Sequence, residues 1–262
     1  MTYLHRLDAA TGAGWPDLME ELDRWEEAGR VATLWWRDDD AVAATPELEA
    51  LLRLAGDVPL ALAVIPGPAE PSLPAIVCEK PNVVVLQHGW RHSNHALAGK
   101  KSEFPATRAP ADVAADLAAG RARLEALFGA QFVPVLAPPW NRYATEFLPL
   151  LPAAGIASLS VMAGGPPAMG ESSVSRVDAH VDLVAWKAGR GFVGREGALG
   201  LLVGHLRARR LGAADPAAAT GILTHHPVMD SAASTFLGQL LAVVARHPGA
   251  RWTAASELWA RA

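Results

Sequence analysis

The sequence predicts an α/β domain whose strands are mainly parallel and wound into a barrel of alternating strands and helices. Short β-branched runs alternate with Ala/Leu/Arg/Glu-rich stretches of helical period, which is the pattern of successive strand–helix–strand units. The chain of 262 residues has the length that one such barrel commonly takes. Polar residues that do not belong inside strands recur at the carboxyl ends of the runs, where parallel α/β folds gather their ligands. One domain over residues 1–262 is therefore expected, with residues 1–30 as a helical extension at its amino end.

Seven runs qualify as strands: "TLWWRD" from Thr33, "LALAVIP" from Leu60, "NVVVLQH" from Asn82, "FVPVLAPP" from Phe132, "ASLSVMAG" from Ala157, "VDLVAWK" from Val181 and "GILTHH" from Gly221. Between them, "TPELEALLRLAG", "PADVAADLAAGRARLEALFG", "GALGLLVGHLRARRLG" and "SAASTFLGQLLAVVARHPG" carry apolar residues at three- and four-residue spacing and close near Gly or Gly-Pro breakers. "MAGGPPAMGESS" from Met162 is expected to be a long loop over a pocket. The basic run "HLRARR" at 205–210 is expected to be the solvated face of its helix.

Half the residues are hydrophobic (51%) and 19% are charged, with a formal net charge of −4, so a large core is available and nothing steers the surface toward nucleic acid or anionic lipid. No signal-peptide pattern or apolar span of membrane length occurs, and the expected location is the cytoplasm. The lone Cys78 cannot form an internal disulfide and is expected to be a small, half-buried hydrophobe.

The chemistry-bearing residues fall at strand ends. Asp38, Asp39 and Asp40 follow the first strand, His88 and His92 the third, Trp140, Asn141 and Arg142 the fourth, and His225 and His226 the last. His88 and His92 are four apart, so one helical turn puts both imidazoles on one side. Two imidazoles and one carboxylate leave open coordination positions, as catalytic metal sites require. Three adjacent aspartates repel one another unless a cation offsets the cost, although helix-capping acids ahead of "TPELEALL" would also account for one of them. If strand geometry persists to position 39, Arg37 and Asp39 share a face and Asp38 points away.

Taken in order, "RDDDA", "HGWRH", "LAPPWN" and "ILTHH" resemble the motifs of the polysaccharide deacetylases of the NodB-homology type, carbohydrate esterase family 4, over about Thr33 to Trp259. The resemblance implies a distorted (β/α)7 barrel. It implies Asp39 as catalytic base, His225 as general acid, and Asp40, His88 and His92 as ligands of a divalent metal, with zinc expected and cobalt, nickel or manganese as alternatives. A match shifted by one, to Asp38 and Asp39, stays open. Asp38, His95, Trp140, Asn141, Arg142, His226 and Arg37 are expected around the substrate or behind the ligands. Glu103 and Arg108, in "KKSEFPATR", are weighed as substrate contacts against a solvated loop, the loop being favoured, and Trp90 and Trp186 join Trp140 as candidates to line the pocket.

Three departures stand out. Ala137 occupies the place of the family's arginine beside the base, and Arg37 and Arg142 are the nearest candidates to replace it. Ala41 replaces a glycine, and His226 an acidic residue. The implied activity is hydrolysis of an N-acyl group on an amino sugar or related carbohydrate. The alternatives are hydrolysis of a non-sugar amide in a small metabolite and a catalytically silent carbohydrate-binding relative.

Overall fold

The computed structural model describes residues 12–164 and 174–259. Most of "MAGGPPAMGESS" and the first eleven residues lie outside that range. The described elements run α1 (Trp15–Glu27), β1 (Ala32–Ala41), α2 (Pro46–Ala55), β2 (Leu60–Val64), α3 (Ser72–Val77), β3 (Val83–Gln87), α4 (Pro110–Phe128), β4 (Phe132–Leu136), α5 (Leu150–Ala153) and β5 (Ser158–Leu159). They continue with β6 (Ser175–Arg176), β7 (Ala179–Asp182), α6 (Arg195–Arg210), β8 (Thr220–Thr224), α7 (Ser231–Arg246), β9 (Ala250–Trp252) and α8 (Ala255–Trp259).

One sheet holds these strands in the order β6-β5-β4-β3-β2-β1-β8-β7, with β9 alongside the start of β1, and every named pairing is parallel. β6 and β7 are two stretches of one extended segment. The first pairs with β5 and the second with β8, and Ala179 exchanges backbone hydrogen bonds with Val161 and Ala163 beyond β5 (2.8 and 2.7 Å). The two ends of the sheet are thereby drawn together, giving the distorted seven-stranded barrel that the sequence predicts. Parallel pairing puts the carboxyl ends of β1, β3 and β8 on one rim; Asp38 on β1 is level with Thr224 on β8.

Alternation along the strands sorts residues by face. Leu34 and Trp36 of β1 and Leu60, Leu62 and Val64 of β2 face outward into the main core beneath α1, α2, α6 and α7. Trp35 of β1 and Ala61 and Ala63 of β2 face inward, in a smaller cluster closed by Trp259 of α8. Small residues line the inner face because Trp35 already fills it, its ring edge-on to Trp259 at 5.6 Å. By the same alternation, Arg37 and Asp39 point inward above Trp35.

Helix α2 is capped by Thr45, whose hydroxyl accepts from the backbone N–H of Leu48, with Pro46 in the first turn. The aspartates are therefore not its cap: all three lie within β1. Helix α1 packs on α6, and there the expectation of a solvated basic face fails. His205 and Arg209 are buried, with Arg209 bonding Thr33 and Thr220 and lying 5.1 Å from the Trp25 ring, and Arg210 pairs with buried Glu21 at 2.7 Å. A long arginine reaches polar partners at a helix–sheet seam that period alone does not reveal. Cys78 is exposed rather than half-buried, because Val77 just before it takes the inward position at the end of α3. No helix among the described residues is long and apolar enough to cross a membrane.

Candidate active site

β1 builds the floor of the site. Arg37 and Asp39 form a fully buried ion pair, Nε to Oδ1 at 2.8 Å and Nη2 to Oδ2 at 3.0 Å. The rest of the guanidinium is held by the carbonyl and hydroxyl of Ser160 (2.9 and 2.8 Å) and by Oδ1 of Asn141 (2.6 Å). Ala137 is buried on the same inner face, so the arginine beside Asp39 comes from two residues earlier on its own strand. Arg142 instead donates to the carbonyl of Lys101.

Asp38 points the other way, to the backbone N–H and Nδ1 of His226 (3.0 and 2.5 Å) and the hydroxyl of Thr224 (2.6 Å). Burial disfavours a charged imidazole, but the charge and hydrogen bond of Asp38, with the charges of Asp40 and Glu47, together outweigh it and raise the pKa of His226. Asp38 and His226 thus tie β1 to β8 behind the site, and the aspartate that meets the imidazoles is Asp40. Its Oδ1 lies 3.1 Å from Nε2 of His88 and 3.4 Å from Nε2 of His92, the three ligand atoms falling within 4.8 Å of one another.

Nδ1 of His88 is 2.8 Å from the carbonyl oxygen of Ala137, an acceptor only, so this nitrogen carries hydrogen and Nε2 is turned toward the carboxylate. That arrangement needs a proton or a metal ion between the two. Burial opposes a proton there, but the charges of Asp39 and Asp40 prevail and raise the pKa of His88. For Asp40 the order is similar: burial penalises the carboxylate, and the imidazoles of His88, His225 and His92 outweigh it and hold the carboxyl well below its usual range. Burial and the charge of His88 lower the pKa of His92. Oδ1 of Asp40 is buried yet accepts no aligned hydrogen bond. An orphaned carboxylate oxygen facing two imidazole nitrogens, one of them oriented by a backbone carbonyl, is the donor set and outer support that a divalent metal takes.

A second group, Asp23, Glu26 and His247, lies in a groove of about 650 Å³ between α1 and α7. There Nδ1 of His247 accepts the N–H of Gly249 at 3.0 Å, so Nε2 keeps its hydrogen and points it at Asp23, 3.1 Å away. No ring lone pair is left for a metal.

His225 sits across from Asp39, Nε2 3.8 Å from Oδ2 of Asp39 and Nδ1 3.9 Å from Oδ1 of Asp182. Trp186 lies edge-on to His225 at 4.7 Å and donates from Nε1 to Oδ2 of Asp182 at 2.7 Å. Burial raises the pKa of Asp182, and the nearby charge of His225 only partly offsets it. Neither Asp182 nor Ser160 is picked out from the sequence. Asp182 escapes because the expected strand starts at Val181, which places it at the beginning of a strand that in fact ends there.

The rim collects unusual backbone. Asp40, His92, Trp140 and Asn141 have positive φ (77°, 57°, 57° and 55°), four of the five such non-glycine residues among those described. Each costs on the order of 1 kcal/mol, and such residues gather where a side chain must be aimed. The ring of Trp140 lies 4.3 Å from that of His92, and Trp90 is half-buried beneath Arg91. His95 is exposed, tied to Ser102 only through its backbone N–H. Glu103, expected in a solvated loop, is 1% exposed and accepts the backbone N–H groups of Trp90, Arg91 and Ser93. Arg108 pairs with Asp116 at 2.7 Å.

No protein-family model and no curated sequence matches the chain. Solved structures do. A putative polysaccharide deacetylase from Mycobacterium smegmatis aligns at 16% identity with a TM-score of 0.62, over 96% of this chain and 93% of that one. The Bc1960 peptidoglycan N-acetylglucosamine deacetylase aligns at 18% and 0.54, over 88% and 89%. A family 4 acetyl xylan esterase from Clostridium thermocellum, in complex with a cobalt ion, aligns at 14% and 0.53, over 87% and 91%. The chain has the NodB-homology fold of the carbohydrate esterase family 4 deacetylases.

Proposed function

We propose that the protein is a metal-dependent hydrolase that removes an acetyl or related acyl group from an acylated carbohydrate, an N-acetylated amino sugar being the first substrate class. The observation that carries this is the meeting of the ligand atoms of Asp40, His88 and His92 within 4.8 Å of one another, beside the buried side chains of Asp39 and His225. Asp40, His88 and His92 would hold a divalent ion, which would supply Lewis acidity toward the acyl carbonyl oxygen and toward water.

The protein's own groups do the rest. Asp39, held by Arg37, takes the proton of the attacking water. His225, with Asp182 3.9 Å away and Trp186 edge-on beside it, hands a proton to the departing nitrogen, and acetate and a free amine leave. Trp140 and Trp186 flank the site with aromatic faces suited to a sugar ring.

N- and O-acyl groups differ in the leaving atom that His225 must protonate, and the solved structures of this fold include a deacetylase of each kind. The test is acetate release from N-acetylated chitooligosaccharides, acetylated xylan and simple acetamides, by metal-loaded and chelator-treated protein. Turnover of the sugar amide that needs metal is the expected result. Turnover confined to small amides moves the substrate outside carbohydrates, and metal uptake without turnover of any substrate removes the hydrolase reading.

A further inference from the structure

The segment that presents His88 and His92 is not a helix. Its backbone over residues 89–93 is irregular and joins no ladder. Three of its N–H groups share one side chain as partner. Oε2 of Glu103 accepts the N–H of Trp90 at 3.0 Å, and Oε1 accepts those of Arg91 at 2.8 Å and Ser93 at 3.3 Å. A carboxylate that gathers three N–H groups in a buried place makes charge-assisted bonds in fixed directions, which pins the segment on both sides of His92. Gly89 is the counterpart. A Cβ at that position would sit 1.9 Å from Oε2 of Glu103 and 2.6 Å from Pro139, so the carboxylate occupies the space that a side chain at 89 would take. The backbone there also has φ +64°, a conformation that glycine adopts without strain.

We propose that Glu103 is a positioning residue for the metal ligands, and that Gly89 exists to admit it. Glu103 touches neither substrate nor metal. It sets where Nε2 of His92 stands relative to Asp40, and so sets metal affinity. This rests on the reading of Asp40, His88 and His92 as the metal site.

Three variants of the full chain separate this from general stabilisation. Glu103→Gln turns an amide NH2 against an N–H donor whichever way it lies, Glu103→Ala removes the acceptors, and Gly89→Ala keeps the carboxylate but displaces it. The readouts are zinc affinity, titrated into chelator-treated protein, and amide exchange at residues 90, 91 and 93 in the metal-free protein. Loss of an outer support of this kind weakens metal binding by about 10- to 100-fold. We expect that loss in E103Q and G89A alike, with exchange at the three amides at least about tenfold faster and exchange in β2 and β4 unchanged. Zinc affinity within about twofold of the parent in both variants overturns the proposal, whatever happens to exchange. If the parent protein takes up no zinc, the metal reading fails. Faster exchange at the three amides in E103Q and G89A then supports the clamp alone, and unchanged exchange overturns that too.

Discussion

Arg37 and Asp39, two positions apart on β1, project from the same face and meet in a two-point ion pair with no exposed surface on the arginine. The strand's period of two is what aligns them. A shift of one residue in either direction would put the guanidinium behind the sheet, on the side that Asp38 faces.

Removing this arginine strands a buried carboxylate. Arg37→Met should lower the unfolding free energy by about 3 kcal/mol and acetate release by at least about 100-fold. Arg37→Lys keeps the charge but cannot span Asp39, Ser160 and Asn141 together, and should leave the fold intact with kcat down roughly tenfold. Thermal unfolding and steady-state kinetics on both variants check this; wild-type kcat in R37K would show that charge alone suffices.

His225 and its support should separate by size of effect. His225→Gln removes the proposed proton donor, a loss of about 10² to 10⁴ in kcat, whereas Asp182→Asn keeps the ring and removes only the charge beside it, a loss of about tenfold. Burst-free acetate-release kinetics distinguish them. Equal losses would mean that Asp182 takes part in proton transfer itself.

Asp40→Asn should abolish zinc uptake in equilibrium dialysis and lower thermal stability without metal, since it takes from His88 and His92 the carboxylate that they hold well below its usual pKa range. Substituting Asp23 should change zinc stoichiometry by nothing, because His247 offers that group no lone pair.

Acid should unfold the protein partly through His180 and His205, which stack at 3.6 Å against α6. Burial is the main cause that depresses both, to about 2 for His180 and about 4 for His205, with His205 and Arg209 adding for the first and Arg209 for the second. The folded state therefore resists protons that the unfolded chain binds near pH 6.5. Stability is full above that pH and is lost as pH falls from 6.5 to about 4, where His205 begins to protonate in place. Each ring contributes a slope of up to about 1.4 kcal/mol per pH unit. Denaturant unfolding of His180→Gln between pH 7 and 4.5 should show a shallower decline than the parent; an identical slope would mean that the pair titrates normally.

Much of this was legible in the residues because it obeys a period. The seven strands, the inward pairing of Arg37 with Asp39 and the opposite aim of Asp38 all follow from alternation. What escaped depends on side chains meeting across long separations. Glu103 looks like any loop glutamate until the backbone of 90–93 turns toward it, and Arg209 looks solvated until Thr33 and Trp25 close over it. Asp182 was hidden by a strand boundary misplaced by two residues, the usual weakness of reading ends from composition.

The left-handed conformations of Asp40, His92, Trp140 and Asn141 set a running cost on keeping this rim in shape. Relaxing any one of them, by a turn rearrangement or a glycine, would return on the order of 1 kcal/mol to the fold. A lineage with no use for the rim would be free to drift toward that gain, one position at a time. Four such positions held together in a single chain make thermostability and turnover opposing demands here, so variants selected only for heat resistance should lose these backbone angles first and their hydrolytic rate with them.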